Sequence, residues 1–327
     1  MGLSKILSIG LTGLVLVLAA PKLSHSVDNV RIAYPSFSSS ILYLIIAQKE
    51  QYFKEEGLNV ELLSIRGEIA ARTALAGEID FFTNAGSAVA AAVRGVPVKI
   101  LAVIADRPGW DLIAQPNIKS VSQLRGTNIA IMSPEGSLAV VTREILRKNG
   151  IDPSKEASLV VMGGDEVRYP ALRAKVIQAT LLSAAASLRA QKEGFNKVAS
   201  ASDYANLIQS GVVATDGRIK QKPAIIARFL GAALKGIRFV LSRREPAIRR
   251  LMEAVRLQDR ELAESIYDRE SKLMLPNAMP EEKTLQAVID DMKKTTKIQR
   301  DIKVADIFDF SFIKKAGEEL NARGWKP

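Results

Sequence analysis

The amino-acid sequence predicts an α/β protein of two lobes, each a mostly parallel sheet flanked by helices, joined by two crossing strands. From Asn29 onwards, short apolar segments alternate with helical ones, a pattern typical of parallel sheets. A second alternation similar to the first begins near Thr127. Apolar segments at 101–106 and 209–215 are placed to cross between the lobes. The chain of 327 residues is long enough for both lobes.

The first 26 residues have a pattern of their own. Lys5 supplies a positive charge, residues 6–20 form an uncharged apolar segment, and small or polar residues follow as far as Ser26. This order is typical of a cleavable secretory signal peptide. A membrane anchor is the alternative, but the apolar segment is shorter than the roughly 20 residues that span a bilayer. Because no cysteine follows it, a lipoprotein anchor is not expected, and we predict a periplasmic protein.

The strands of the first lobe are predicted from apolar segments bounded by turn residues. A helix follows the first strand and ends at Gly57, which suits a helix C-terminus because glycine readily adopts positive φ. Another helix begins near Gly67, and a Gly-Val-Pro turn at 95–97 precedes the longest strand. The predicted strands are 30–34, 58–65, 79–83 and 98–106.

The second lobe is predicted to repeat the first. Residues 127–137 show the same order of strand, small polar turn and helix start as residues 30–40, which lie 97 positions earlier. An internal repeat of this length implies two similar lobes, although chance similarity between α/β units is the alternative. The predicted boundaries are 1–26 for the signal peptide, 27–105 and 212–327 for lobe 1, and 106–211 for lobe 2.

The remaining segments complete the predicted fold. A strand is expected at 110–115, and Ser120 can cap the short helix that follows it. Pro223 suits the first position of a long helix that ends near Ser242. The rest of the chain is helical in period and is expected to pack on the first lobe. Its breaks are predicted at 275–276, 279–280 and 307–311.

The composition argues against several kinds of chemistry. The chain has no cysteine, and its one histidine, His25, lies in or beside the segment expected to be removed. We therefore predict neither thiolate nor imidazole catalysis, no metal site and no cofactor. Asp165 and Glu166 are predicted to lie in a turn, which does not suit an acid–base pair. The net charge of +11 is spread along the chain, so a nucleic-acid partner is not expected.

A ligand is expected where strand ends meet helix starts, because unpaired backbone N–H groups and the helix dipole favour anions there. Four such corners contain Ser, Asn or Gly, at 38–40, 84–87, 133–137 and 163–165. Helix capping is the alternative for each corner, but the repeat would place the corners of the two lobes opposite each other. The candidate ligand-binding residues are Tyr34, Phe37, Ser38, Ser39, Asn84, Gly86, Ser87, Trp110, Ser133, Glu135, Gly136, Ser137, Gly164, Arg168 and Ser183.

Several of these candidates have a second interpretation. Arg168 would assist an anionic ligand, but it could instead lie in solvent at a helix start. Glu135 would oppose an anion if it pointed inwards. Trp110 and Phe37 could form apolar walls, and Trp110 could equally belong to the core near the hinge. Tyr34 ends a predicted strand and could direct its hydroxyl into the cleft.

Seven segments carry a family resemblance: IAYPS at 32–36, EQYFKEEGLNVELL at 50–63, ALAGEIDF at 74–81, GVPVKILA at 95–102, SVSQLRGTNIAI at 120–131, SLAVVTREILRKNGID at 137–152 and DFSFIKKAGEEL at 309–320. In order and spacing they resemble the nitrate/sulfonate/taurine-type periplasmic solute-binding proteins, relatives of the binding proteins for thiamine pyrimidine precursors. The resemblance implies a two-lobed periplasmic binding protein fold, type II-like, with a small-molecule ligand held in the cleft. It also implies delivery to an inner-membrane ABC permease and no chemistry of its own. We expect a monomer.

The second lobe departs from the family pattern. Where the family usually has Gly-x-Ile-Asp-Ala, residues 175–179 read Lys-Val-Ile-Gln-Ala, and Ala184 stands where a proline is usual. We therefore expect the second-lobe wall of the cleft to be reshaped. Two alternatives to transport remain: a sensory module that docks on a membrane receptor, and an enzyme of the related pyrimidine-synthesising branch. That branch relies on His and Cys residues, which the mature chain is expected to lack.

Overall fold

A computed structural model describes residues 27–35, 39–134, 136–205 and 207–327. The predicted signal peptide and three candidate ligand-binding residues, Phe37, Ser38 and Glu135, lie outside these ranges. Across the ranges described, no helix is both long enough and apolar enough to cross a bilayer.

The first sheet forms the centre of lobe 1. It contains β1 (Asp28–Tyr34), β2 (Leu58–Ser64), β3 (Phe81–Phe82), β4 (Val98–Ala105) and β10 (Ser210–Thr215). The strand order is β2-β1-β3-β10-β4. β1 pairs in parallel with β2 and β3, whereas β10 runs antiparallel to β3 and β4. The sheet is therefore mixed, because the strand that returns from the second lobe enters it in the opposite direction.

The second sheet forms the centre of lobe 2. It contains β5 (Asp111–Ala114), β6 (Asn128–Ile131), β7 (Ser158–Val161), β8 (Ala179–Leu182) and β9 (Asn196–Ser200). The order β7-β6-β8-β5-β9 repeats that of the first sheet, with β5 antiparallel to both of its neighbours. The two-lobed α/β class predicted from the sequence is confirmed, and the antiparallel pairs are added by the strands that connect the lobes.

Helices cover both sheets and form the C-terminal part of the chain. They are α1 (Leu42–Lys49), α2 (Tyr52–Glu55), α3 (Gly67–Leu75), α4 (Ala85–Val93), α5 (Ser137–Lys148), α6 (Asp165–Arg173), α7 (Ala184–Lys192), α8 (Asp216–Gln221), α9 (Pro223–Ser242), α10 (Arg244–Val255), α11 (Arg260–Leu273), α12 (Glu282–Thr296), α13 (Val304–Ile307) and α14 (Ser311–Ala322). Pro223 occupies the first turn of α9, as the sequence predicts. The helix packs on α1 and α14, and Phe229 stacks against Phe53 and Phe81 in the lobe 1 core.

The internal repeat extends to individual hydrogen bonds. In lobe 1, the Asp80 carboxylate accepts a hydrogen bond from the backbone N–H of Arg31, at 2.7 Å. In lobe 2, the side-chain oxygen of Gln178 accepts one from the backbone N–H of Asn128, at 3.1 Å. Lys175 adopts the left-handed conformation that Gly77 adopts in lobe 1, with φ of 61° and 80°.

The 175–178 part of the departure from the family pattern therefore lies away from the wall of the cleft, whereas Ala184, the other part, begins α7 directly after the cavity residue Ser183. Gln178 lies just before the N-terminal end of β8, and the cavity residue Ser183 follows its C-terminal end. The expectation that the 175–178 segment reshapes the wall of the cleft is wrong, because these residues lie at the end of β8 opposite the cavity.

Candidate functional site

Four helices begin around the cleft between the lobes. Their N-cap residues are Asn84 for α4, Gly136 for α5, Gly164 for α6 and Ser183 for α7, and none of the four helices has a side-chain cap hydrogen bond. Asn84 thus occupies the N-cap position of α4, but its side chain makes no capping hydrogen bond. Helix starts without side-chain caps can leave backbone N–H groups available to a ligand. At two of the four, the N-cap N–H is bound by a carboxylate, Ser183 by Asp165 at 3.0 Å and Gly164 by Glu166 at 3.0 Å.

A narrow cavity of about 80 Å³ lies between these helix starts. Its walls come from both lobes and from the start of β10, and most of its polar groups are hydroxyls and amides. The lining residues are Pro35, Ser40, Thr83, Asn84, Ser87, Trp110, Met132, Ser133, Gly136, Ser137, Leu138, Asp165, Arg168, Ser183, Gln209 and Ser210.

The two lobes touch at the cavity. The hydroxyl oxygen of Ser87, on α4, lies 3.4 Å from that of Ser137, on α5. Beside this contact, a β-carbon placed on Gly86 would lie 2.7 Å from the carbonyl oxygen of Ile208 and 2.8 Å from the Ser137 hydroxyl. The lobes are thus closed on each other, and glycine at position 86 permits the close approach.

Arg168 is buried rather than solvated. Its side chain is 2% exposed, and its guanidinium donates to an Asp165 carboxylate oxygen at 2.6 Å and to the Leu181 carbonyl at 2.8 Å. Burial lowers the pKa of Arg168, whereas the charges of Asp165 and Glu166 oppose that shift. The expectation of an exposed helix-start arginine is wrong because Asp165 lies in the first turn of α6, not in a turn before it, and pairs with Arg168 along the helix.

Three buried polar atoms of the cavity residues have no hydrogen-bond partner within the protein. They are the side-chain oxygen of Asn84, the hydroxyl of Ser210 and the Nε of Arg168. Leaving a buried polar group unpaired costs about 1 to 3 kcal/mol, so such groups are normally satisfied. All three atoms belong to residues that line this one cavity.

The connection between the lobes is tied to the cavity by Gln209. Its side-chain oxygen accepts a hydrogen bond from the backbone N–H of Gly109 at 2.5 Å, and the carbonyl oxygen of Gly109 accepts one from the Arg269 guanidinium at 2.7 Å. Arg269 lies on α11 and pairs with the fully buried Asp111 at 2.5 Å. Burial alone would raise the pKa of Asp111, but hydrogen bonds from Arg269 and Ser187 hold it below its usual value.

Helix α11 therefore contacts both lobes. The sequence predicts that the C-terminal helices pack on lobe 1, and α11 packs against α10, yet it also packs against α7 of lobe 2. Lys192 on α7 extends this contact through ion pairs with Asp259 and Glu261.

The structure brings together most of the predicted site residues that it describes. Those that line the cavity are Asn84, Ser87, Trp110, Ser133, Gly136, Ser137, Arg168 and Ser183. Trp110 also packs against the core, so both of its interpretations hold. Tyr34, Gly86 and Gly164 are not among the lining residues: Tyr34 packs against the lobe 1 core, and the two glycines lie at helix starts. Ser39 lies in a short 3-10 turn, Ser39–Ile41, next to the lining residue Ser40.

Sequence reasoning missed several lining residues, above all Asp165, Gln209 and Ser210. Asp165 could have been found from the sequence, because it is an acidic residue within the Gly-Gly-Asp corner that was proposed to favour anions. Gln209 and Ser210 begin the crossing strand, and a strand that passes between two lobes must run beside the cleft. Within the described residues, no group of three or more His, Cys, Asp or Glu side chains is arranged to hold a metal ion.

Comparison with known proteins agrees with this architecture. The Bacillus subtilis (strain 168) protein YtlA is 27% identical over 158 residues, which are 46% of this chain and 47% of YtlA, so the match spans about half of that relative's length. A solved structure of a Bordetella bronchiseptica RB50 protein superposes with a TM-score of 0.79 at 17% identity, covering 91% of this chain and 99% of the other. The alkanesulfonate-binding protein SsuA of Xanthomonas axonopodis pv. citri, solved bound to MOPS, gives 0.69 at 13% identity, covering 86% and 98%.

The fold is thus that of the periplasmic binding proteins. The family described as NMT1/THI5 like matches residues 38–247, more than half of the sequence. The chain belongs to the NMT1/THI5-like family.

Proposed function

We propose that this protein is a periplasmic solute-binding protein, which captures a small polar or anionic organic ligand between its lobes and delivers it to an ABC permease. The observation that carries the proposal is the interlobe cavity, where polar atoms of Asn84, Ser210 and Arg168 are buried without partners. A ligand that supplies those hydrogen bonds would be held by both lobes at once. Family membership and the fold shared with SsuA support the same function.

Capture would occur by closure of one lobe on the other. The connections beside Gly109 and Gln209 would act as the hinge, and the contact between Ser87 and Ser137 would form only in the closed state. A ligand shifts such an equilibrium only by the extra contacts that it makes when the lobes are closed. The cavity that spans both lobes provides those contacts.

The site favours binding without chemical conversion. Its hydroxyl groups are not accompanied by an adjacent general base among the described lining residues, and its carboxylate, from Asp165, is already paired with Arg168. We infer that the protein is not an enzyme and that it acts as a monomer. Secretion through the segment 1–26 would place it where a periplasmic ligand is captured.

A thermal-shift screen followed by mutation tests the proposal. The panel contains inorganic anions, sulfonates, pyrimidines and aromatic acids, and a compound that raises the Tm is then titrated by calorimetry. In N84A we expect affinity to fall about tenfold, the value of one buried hydrogen bond, while the free protein keeps its Tm because an unpartnered oxygen has been removed.

Two further variants complete the experiment. S137A should also weaken binding, because Ser137 lines the cavity and contacts Ser87 across the cleft. S265A is the matched control, since its hydroxyl donates only to the Glu261 carbonyl on the exposed side of α11. Full affinity in both N84A and S137A would show that the ligand binds elsewhere. No response to the panel, nor to neutral and zwitterionic polar solutes screened in the same way, would contradict solute capture.

A further inference from the structure

Asp165 is the acidic member of the cavity wall. It is the first residue of α6, its side chain is 20% exposed, and it lines the cavity together with Arg168. These two are the only charged side chains among the described residues that line the cavity, so their charges cancel. The lobe 1 groups that face them, Ser87 and Asn84 among them, are uncharged.

The Asp165 carboxylate accepts hydrogen bonds from two groups that would otherwise be available to an anion. One of its oxygens accepts the hydrogen bond from the Arg168 guanidinium, at 2.6 Å. The other accepts the backbone N–H of Ser183, at 3.0 Å, where α7 begins. A buried guanidinium and a helix N-terminus are the two kinds of group that attract anionic ligands most strongly. In lobe 2, both are already neutralised by a side chain of the protein itself.

Resting on the function proposed above, we propose that Asp165 sets the charge preference of the cleft, which takes a polar solute without net negative charge and rejects simple anions. An anion at this wall would meet the carboxylate instead of the arginine. A neutral or zwitterionic solute would instead donate a hydrogen bond to Asp165, whose oxygens have lone pairs to spare, and to the unpartnered Asn84 oxygen.

The arrangement also explains why Arg168 can be buried in the free protein. An isolated guanidinium is costly to remove from water, and its pairing with Asp165 within the same helix turn offsets that cost before any ligand arrives. The site is therefore organised in advance for an uncharged partner. Loss of the carboxylate would leave a buried cation that only an incoming anion could neutralise.

The test compares Asp165→Asn with the wild-type protein, using sulfate, nitrate and methanesulfonate as probes in calorimetry. The variant keeps the size of the side chain and removes its charge. We expect it to bind at least one of these anions about ten to a hundred times more tightly than the wild-type protein does, because the like-charge repulsion is gone. Glu166→Gln is the matched control: it removes the same charge from the next residue, which is exposed and does not line the cavity.

Each outcome decides the proposal. An increase in anion affinity that occurs in D165N but not in E166Q supports it. The proposal is overturned if anion affinity does not increase in D165N, if it increases equally in E166Q, or if the wild-type protein already binds an anion tightly. The wild-type protein supplies a second measurement that does not depend on the variant's folding: carboxylic acids are compared with their primary amides, and the amide should bind more tightly. An acid that binds better than its amide overturns the proposal. The solute-capture function itself fails only if no compound of any charge binds.

Discussion

Gly86→Ala tests whether the closed arrangement of the lobes depends on one missing side chain. Gly86 lies in the first turn of α4, opposite α5 of the other lobe. A methyl group there would lie 2.7 Å from the Ile208 carbonyl oxygen, 2.8 Å from the Ser137 hydroxyl and 3.3 Å from the Leu207 side chain. Since the first of these is a backbone atom, the strain cannot be relieved by rotating a side chain, and we expect the lobes to separate slightly.

The magnitude follows from two opposing effects. Inserting a methyl group into a tightly packed region costs about 1 to 3 kcal/mol. Replacing glycine by alanine inside a helix returns roughly 0.5 to 1 kcal/mol. The helix gain applies equally to the open and the closed protein, so the closed state should lose about 1 to 3 kcal/mol relative to the open one. The affinity for any ligand that requires closure should then fall about 5- to 150-fold.

Gly231→Ala provides the matched control. Gly231 is also helical, in α9, and an added methyl group would meet only the Ala316 side chain, at 4.0 Å. We expect thermal unfolding to show a higher Tm for G231A and an unchanged or lower Tm for G86A, with a larger radius of gyration by small-angle X-ray scattering for G86A alone. If G86A is as compact as the wild-type protein and gains stability as G231A does, the close contact at Gly86 does not hold the lobes together.

Three other substitutions probe the scaffold. Lys175→Gly should stabilise the protein by about 1 kcal/mol in urea unfolding, because Lys175 holds the positive φ that glycine adopts at Gly77; a lower midpoint would contradict this. Phe229→Ala should cost about 3 to 5 kcal/mol, since its ring stacks on two others in the lobe 1 core, and a loss below 1 kcal/mol would refute the packing. Asp111→Asn should cost about 3 to 5 kcal/mol at pH 7 by leaving Arg269 without its buried partner. Because the pKa of Asp111 is lowered in the folded state, its contribution is present above pH about 4 and is lost as the pH falls further, so the wild-type and D111N stabilities should converge in acid.

The class of fold and the two corners that meet between the lobes could both be predicted from the sequence. The alternation of apolar segments is a local pattern that predicts an α/β fold, and the similarity of segments 97 positions apart predicts two similar lobes. Both can be recognised from the sequence alone. The Asn84–Ser87 and Ser133–Ser137 corners were predicted to face each other, and Ser87 and Ser137 lie in contact in the structure. This succeeded because parallel strands of repeated units end at equivalent edges of their sheets.

The electrostatics of the cleft could not be predicted from the sequence, because they depend on contacts between distant segments. Along the chain, Arg168 cannot be distinguished from a solvated helix-start residue, because its burial depends on β8 and α7, which come later in the sequence. The Lys175–Gln178 departure looked like a change at the ligand, but the hydrogen bonds of Gln178 to the backbone of Asn128 place it at the end of β8 away from the cavity. Which charges of the cavity are paired, and which of its polar atoms lack a partner, depend on distances between segments that are far apart in the sequence. The spacing of residues along the chain does not give those distances.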